Sequence, residues 1–287
     1  MKWGAVKQIE GENVWVTFAK KQTSIKNNCI NLVCTGGVGT GKSWALLSYF
    51  YLIDPDFDLN EQAFFKAKGL MRKFERGGVI KGKPFLFDES GIDANSSKWQ
   101  DEINKGLNAF LQTGRHRNYI FGMTVPFMSF LSKGVRTLMN CHWRAEGWNS
   151  LNQTRVKPFM LQYNGDMDKF YRKRLIVKTD IGSSFCNELR LPKPPRPIVR
   201  EYEKLKKEFT AELFKDIGDK IESKEDKKES LKLIKCSKLR SDLNVVPSTI
   251  YTWINKKMFE AKKIGDIWFM TKQEYEKVLN DPFLLRK

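Results

Sequence analysis

The chain has 287 residues, 41 % of them apolar, which is enough to bury a sizeable core and, at roughly 100–200 residues per domain, to build about two domains. Its 51 Lys and Arg against 33 Asp and Glu leave a net charge of +18, a field that favours polyanions such as nucleic acid or an anionic membrane face. No apolar run approaches the roughly 20 residues that span a bilayer, Met1-Lys-Trp-Gly-Ala5 lacks a signal-peptide core, and the five cysteines are scattered without a C-x-x-C, so a disulfide framework and a zinc site are both disfavoured and a reducing cytoplasm is expected.

Residues 13–18 (Asn-Val-Trp-Val-Thr-Phe) alternate and are rich in β-formers, which predicts a strand, followed by a polar connector over 20–28. The apolar run Ile30 to Cys34 then opens into Gly36-Gly-Val-Gly-Thr-Gly-Lys-Ser43, which matches G-x-x-x-x-G-K-[ST]. Glycines at 36, 37, 39 and 41 let the backbone curl with its N–H groups inward, so Gly36, Gly37, Val38, Gly39, Thr40, Gly41, Lys42, Ser43 and Trp44 are the candidate nucleotide-binding residues. Lys42 would reach the β/γ-phosphates of ATP and the Ser43 hydroxyl would ligate Mg²⁺. A helix from Ala45 to Ile53 would face the phosphates with its N-terminus, and helical spacing resumes over 62–74 through Phe65, Leu70, Met71 and Phe74.

Lys83-Pro-Phe-Leu-Phe-Asp-Glu-Ser90 is an apolar strand ending in two carboxylates. At the end of a strand beside the glycine loop, Asp88 would hold Mg²⁺ and Glu89 would polarise the attacking water, the division of labour of a Walker B motif; an acidic turn after an ordinary strand is the plainer alternative. Residues 99–113 read as a helix that feeds the basic turn Gly114-Arg-His-Arg-Asn118 and a strand ending in Thr124 before Pro126. Thr124 is the candidate γ-phosphate sensor. Arg115 and Arg117 are candidates for an arginine supplied to a neighbouring subunit's phosphate, a DNA contact or a solvated turn, and His116 and His142 read as structural.

A short helix over 132–139 and three β-like segments (141–146, 156–163, 171–179) point to antiparallel strands at the end of the sheet, and Lys169 to Arg174 would be either a DNA contact or a lysine-protected edge. Leu191-Pro-Lys-Pro-Pro-Arg-Pro-Ile198 reads as a stiff spacer, so the expected division is 1–190, a spacer and charged helical linker over 191–230 with a flexible end at 222–230, and a module over 231–287. In that module, helices over 237–243 and 247–257, a hairpin at Gly265-Asp266 and a capping box at Thr271-Lys-Gln-Glu274 give a helix-turn-helix with a wing, a small α+β unit.

Residues 28–150 resemble the FtsK/HerA superfamily of DNA-pumping ATPases, and within it the Zot-like (zonular occludens toxin-like) branch of phages, viruses and plasmids. The residues that carry it are Gly36 to Ser43, Phe85 to Glu89, and Arg115-His-Arg-Asn118 followed by Ile120 to Pro126. The resemblance implies an α/β, RecA-like P-loop NTPase sheet of the ASCE type with flanking helices, Mg²⁺-dependent and DNA-stimulated ATP hydrolysis with Lys42, Glu89, Thr124, Arg115 and Arg117 as the catalytic set, and a homo-oligomeric ring such as a hexamer. Many of these pumps have glutamine where Thr124 stands, and Zot proteins usually carry a membrane helix for which this sequence has no apolar run of sufficient length, so a cytoplasmic motor rather than membrane extrusion is the form expected here. The C-terminal module resembles MerR/excisionase-type winged helices, which implies that Ser248, Thr249, Tyr251, Thr252, Asn255 and Lys256 contact DNA while Lys262 and Lys263 lie on phosphates; a protein-binding winged helix is the alternative. A DNA translocase or packaging motor is thus expected first, and an ATP-switched DNA-binding regulator or replication/partition factor second.

Overall fold

A two-residue strand, β1 (Val6–Lys7), and a helix, α1 (Val14–Lys20), come first in the computed structural model, which describes residues 6–7, 13–76, 80–88, 97–180, 182–230 and 232–280. The strand expected over 13–18 is α1. Asn13 caps it by accepting from the Trp15 N–H at 3.0 Å, and Trp15, Val16, Phe18 and Ala19 are all buried, so packing on several faces overrides the β-propensity of the run. The expected connector continues it as a π-helical turn over Lys21–Ile25, with Gln22 and Thr23 buried.

The glycine loop lies between β2 (Ile30–Thr35) and α2 (Lys42–Ile53). The helix expected over 62–74 is divided into α3 (Leu59–Gln62), β3 (Ala63–Phe64) and α4 (Ala67–Glu75), because Ala63 and Phe64 pair with the following strand β4 (Pro84–Phe87). Then come α5 (Ser97–Thr113), β5 (Ile120–Val125), α6 (Lys133–Leu138) and β6 (Cys141–Trp148), followed by β7 (Gln153–Asn164), β8 (Lys169–Lys173), β9 (Ile176–Thr179), β10 (Gly182–Phe185) and β11 (Leu189–Pro192).

Eight of these strands form one sheet in the order β11-β7-β6-β2-β5-β4-β3, with β8 also on β7. Strands β3, β4, β5, β2 and β6 are mutually parallel, and β7, β8 and β11 add antiparallel pairs, so β5 lies between the glycine-loop strand and the Asp88 strand. Alternation along β2 sends Leu32 and Cys34 to one core cluster with Leu46, Tyr49 and Phe50 of α2, and Val33 to another with Leu107 and Phe110 of α5. Both faces are covered, as parallel strands require. Gly122 of β5 permits the close approach of α2, since a Cβ there would come within 2.5 Å of Phe50 Cζ.

The compact units are Met1–Lys207 and Glu208–Lys287. The proline-rich stretch does not separate them: Leu191 is buried, residues 189–192 pair with β7, and α7 (Arg196–Ser230) starts within the stretch. The charged run expected to be flexible at 222–230 remains helical, as a Lys/Glu sequence of high helix propensity permits. In the second unit, β12 (Leu233–Lys235), α8 (Lys238–Asp242), α9 (Pro247–Asn255), β13 (Lys262–Ile264), β14 (Ile267–Thr271) and α10 (Lys272–Asn280) surround a separate core that includes Leu239, Ile250, Ile254, Phe259 and Met270. Its strands run β12-β14-β13.

Candidate functional site

All six residues of β2 are buried, and the chain leaves the sheet at Gly36, whose N–H donates to Pro126 O at 3.2 Å. Gly39 and Gly41 have φ of 77° and 83°, the left-handed region that favours glycine, and a Cβ on Gly41 would lie 2.9 Å from Thr154 Cγ2. A Cβ on Gly36 would meet Ala145 O at 2.9 Å, so the two fixed glycines of the motif are also the two that neighbouring strands crowd. Thr40 Oγ1 donates to Gly37 O at 2.8 Å, and Val38 stands fully exposed at the tip. Lys42 opens α2 and its Nζ donates to Gly36 O and Gly37 O, each at 2.8 Å, so the ammonium lies over the loop at the positive end of the helix.

The Asp88 carboxylate, fully buried just past β4, is the centre of the site. Its Oδ1 accepts from Ser43 Oγ at 2.9 Å and from Thr124 Oγ1 at 2.6 Å. Thr124 is opposite Cys34 in the β2–β5 register, which brings the fifth residue of β5 beside the glycine loop. The second oxygen accepts from the Tyr202 hydroxyl of α7, and Lys206 Nζ lies 4.0 Å from it. Sequence reasoning placed Ser43, Asp88 and Thr124 here and missed Tyr202 and Lys206. Their only local signal was an aromatic and a lysine four residues apart, on one face of a helix assigned to the linker.

A cavity of about 680 Å³ opens over these groups, lined by Gly41, Lys42, Ser43 and Thr124 with Trp148 and Lys206 among its other walls. That size accommodates a nucleotide-sized ligand. Hydroxyl and carboxylate oxygens are hard donors that suit Mg²⁺, and Mg²⁺ is commonly held by one or two such groups together with phosphates and water. The Ser43 hydroxyl and the Asp88 carboxylate, 2.9 Å apart, are donors of that kind; among the described residues there is no group of three or more His, Cys, Asp or Glu placed to hold an ion. Burial, with Asp88 adding to it and Lys42 opposing it, pushes the Cys34 thiol up to about 12, which keeps it protonated and unreactive. Burial, reinforced by Arg172 and Arg144, lowers His142 to about 4; the neutral ring shares a 2.8 Å hydrogen bond with Thr35 Oγ1.

Glu89 lies outside the described residues, as does the side chain of Arg115, whose backbone forms a 3₁₀ turn with Gly114, His116 and Arg117. Arg117 donates to Phe74 O at 3.2 Å. That turn precedes β5, whereas Thr124 lies near its far end, so the turn and the glycine loop occupy opposite edges of the parallel strands, separated by about 17 Å of extended chain. Within this chain, Arg117 is bonded away from the site. On β8, all five residues from Lys169 to Lys173 are exposed at the sheet edge.

In the second unit, Ser248, Tyr251, Thr252, Asn255 and Lys256 are exposed and Thr249 is half-buried, while Ile250 and Ile254 turn into the core. Pro247 begins α9 and no side chain caps it; the Thr252 hydroxyl donates to Ser248 O at 2.9 Å. Lys262 and Lys263 are exposed on β13, Gly265 turns the hairpin with φ of 60°, and Glu274 N donates to Thr271 Oγ1 at 3.2 Å, the N-cap half of the expected capping box, while Glu274 Oε1 accepts from Glu260 N at 3.4 Å.

No protein-family model matches the chain, and no curated protein matches it. Among solved structures it is similar to the N-terminal domain of zonular occludens toxin from Neisseria meningitidis (15 % identity, 52 % of this chain and 95 % of that one, TM-score 0.34). It is also similar to a KaiC-like protein from Pyrococcus horikoshii (10 %, 51 % and 89 %, 0.32) and to ATPases 2 and 3 of EssC from Geobacillus thermodenitrificans (13 %, 65 % and 45 %, 0.32). No helix among the described residues is long and apolar enough to cross a membrane.

Proposed function

We propose that the chain is an ATP-driven DNA translocase or packaging motor of a virus, phage or plasmid, with a C-terminal winged helix that reads DNA. The observation that carries the ATPase part is the convergence of Ser43 and Thr124 on the buried Asp88, beside a glycine loop over which Lys42 is folded. In this reading Lys42 and the loop N–H groups bind the β- and γ-phosphates, and Thr124 ties the end of β5 to Asp88 so that the strand responds to what occupies the site. Mg²⁺, held by Ser43 with Asp88 behind it, would neutralise charge on the phosphates. Glu89 takes a proton from the attacking water as the water oxygen bonds the γ-phosphorus and the bond from that phosphorus to the bridging oxygen breaks, which releases ADP and inorganic phosphate. The net charge of +18 and the exposed polar face of α9 support DNA as the partner.

A regulator or replication/partition factor that uses ATP as an assembly switch is the second reading, favoured by the separate core of the C-terminal unit, which could recognise one site by itself. The test is ATP turnover with duplexes of unrelated sequence, combined with displacement of a third strand bound to the duplex. A motor is expected to be stimulated at least tenfold by any long duplex and to strip the third strand, and Lys42→Ala is expected to abolish both. Slow turnover that responds to one sequence only would favour the switch. Undiminished nucleotide affinity in Lys42→Ala would overturn the site itself.

A further inference from the structure

The first turns of α7 belong to the nucleotide unit, and two of their side chains converge on the group at the centre of the site. The Tyr202 hydroxyl donates to Asp88, and its ring packs edge-on against Trp44 with centroids 5.2 Å apart, so the phenol is fixed at both ends. Lys206, one helical turn further on, extends past that ring at 5.8 Å, brings Nζ to 4.0 Å from the same carboxylate and lines the cavity together with Lys42 and Ser43. At 4.0 Å Lys206 Nζ is within ion-pair range of Asp88, and with about a third of its side chain exposed it stands at the cavity wall.

We infer that α7 completes the nucleotide site in cis: Lys206 is a second phosphate-binding cation that distinguishes a triphosphate from a diphosphate, and Tyr202 is a positioning residue that holds Asp88 in its metal-binding orientation. The chemical reason is that a third phosphate adds negative charge beyond the reach of a single lysine. A carboxylate that would help hold Mg²⁺ is also oriented by the hydrogen bonds that its two oxygens accept, as those of Asp88 do. Arg117 is bonded to Phe74 O at the amino end of β5, away from the glycine loop, and among the described residues Lys206 joins Lys42 as a basic side chain lining the cavity. A cation supplied by the subunit's own helix lets ATP binding act directly on α7, the same helix that leads on in sequence towards residues 231–287.

This assignment rests on the nucleotide reading above, and the experiment separates the two. The full-length protein is titrated with a non-hydrolysable ATP analogue and with ADP, each with Mg²⁺ and with a chelator. Wild-type protein is expected to prefer the triphosphate. Lys206→Ala and Lys206→Gln should lose about tenfold in affinity for the triphosphate with ADP affinity unchanged, as removal of one desolvated cation contact implies, and Lys206→Arg should restore most of it. Tyr202→Phe keeps the ring, so it should keep the ATP/ADP preference while several-fold of the Mg²⁺ enhancement disappears. A wild-type protein that binds neither nucleotide would sink the nucleotide reading. Wild-type binding whose triphosphate preference survives in both folded Lys206 variants would overturn the α7 assignment alone. Circular dichroism decides whether Lys206→Ala is folded, and Lys206→Gln, which retains the stem, carries the test if it is not.

Discussion

The two ends of β5 contrast. At its carboxyl end, Thr124 joins Ser43 and Tyr202 in bonding one buried carboxylate, side chain to side chain. At its amino end, two side chains reach backbone carbonyls, Arg117 bonding Phe74 O and Cys29 Sγ lying 3.9 Å from Gly114 O, while Asn118, held at φ of 49°, donates from Nδ2 to the amide oxygen of Asn27. Networks of carbonyls resist change because every acceptor belongs to the fold. A carboxylate shared by hydroxyls can exchange them for a metal or its water, so parallel strands concentrate chemistry at their carboxyl ends.

The contrast is broken most severely at Asp88. Asp88→Asn nearly preserves shape but removes the charge, and steady-state ATP turnover is expected to fall about 10³-fold, equivalent to several kcal/mol of lost charge stabilisation. Turnover within tenfold of wild type would show that the carboxyl-end cluster is only structural.

His142 sharpens the contrast through pH, because it buttresses Thr35, the last residue before the glycine loop. Its folded-state pKa, about 4, lies below the ordinary 6.5, so the unfolded chain takes up the proton more readily. The stability it contributes is complete above about pH 6.5 and is lost as pH falls towards 4, by about 3 kcal/mol in all. Thermal melts of wild type and His142→Gln across that interval should show a shallower acid loss in the variant, and parallel curves would refute it.

The smallest effect is expected at the amino end. Arg117→Ala removes one charged bond to a carbonyl, so stability should drop by about 1 kcal/mol and turnover should change less than threefold. An arginine acting on a neighbouring subunit's phosphate would instead cost 10³–10⁵ in turnover. Mixing that variant with Lys42→Ala would then restore activity at interfaces where an intact loop meets an intact arginine.

The glycine loop was legible because its spacing encodes backbone geometry: Gly41 needs a left-handed φ, and Thr154 leaves no room for a Cβ. Asp88 and Thr124 were legible because each ends an apolar strand, and the order of strands then brings the ends together. In the C-terminal unit, the inward turn of Ile250 and Ile254, the hairpin at Gly265 and the Thr271 cap follow from helical period and turn chemistry alone. Residues 13–18 misled because alternation records β-propensity and says nothing of how many faces will be buried, and Trp15, Val16, Phe18 and Ala19 are buried together on a helix.

Local chemistry in the sequence by itself determined the glycine loop, the strand that ends at Asp88, the strand that carries Thr124 and the order of two short helices and a hairpin in the second unit, because each is set by neighbours a few residues apart. Tertiary structure alone decided which distant groups meet. Tyr202 is 114 residues from Asp88, and no periodicity carries that separation. The proline-rich stretch looked like a boundary, yet the pairing of residues 189–192 with β7 keeps it inside the first unit and aims the start of α7 at the site. A spacer and a covered edge strand can share one composition, and what distinguishes them is whether another strand has unpaired backbone to offer.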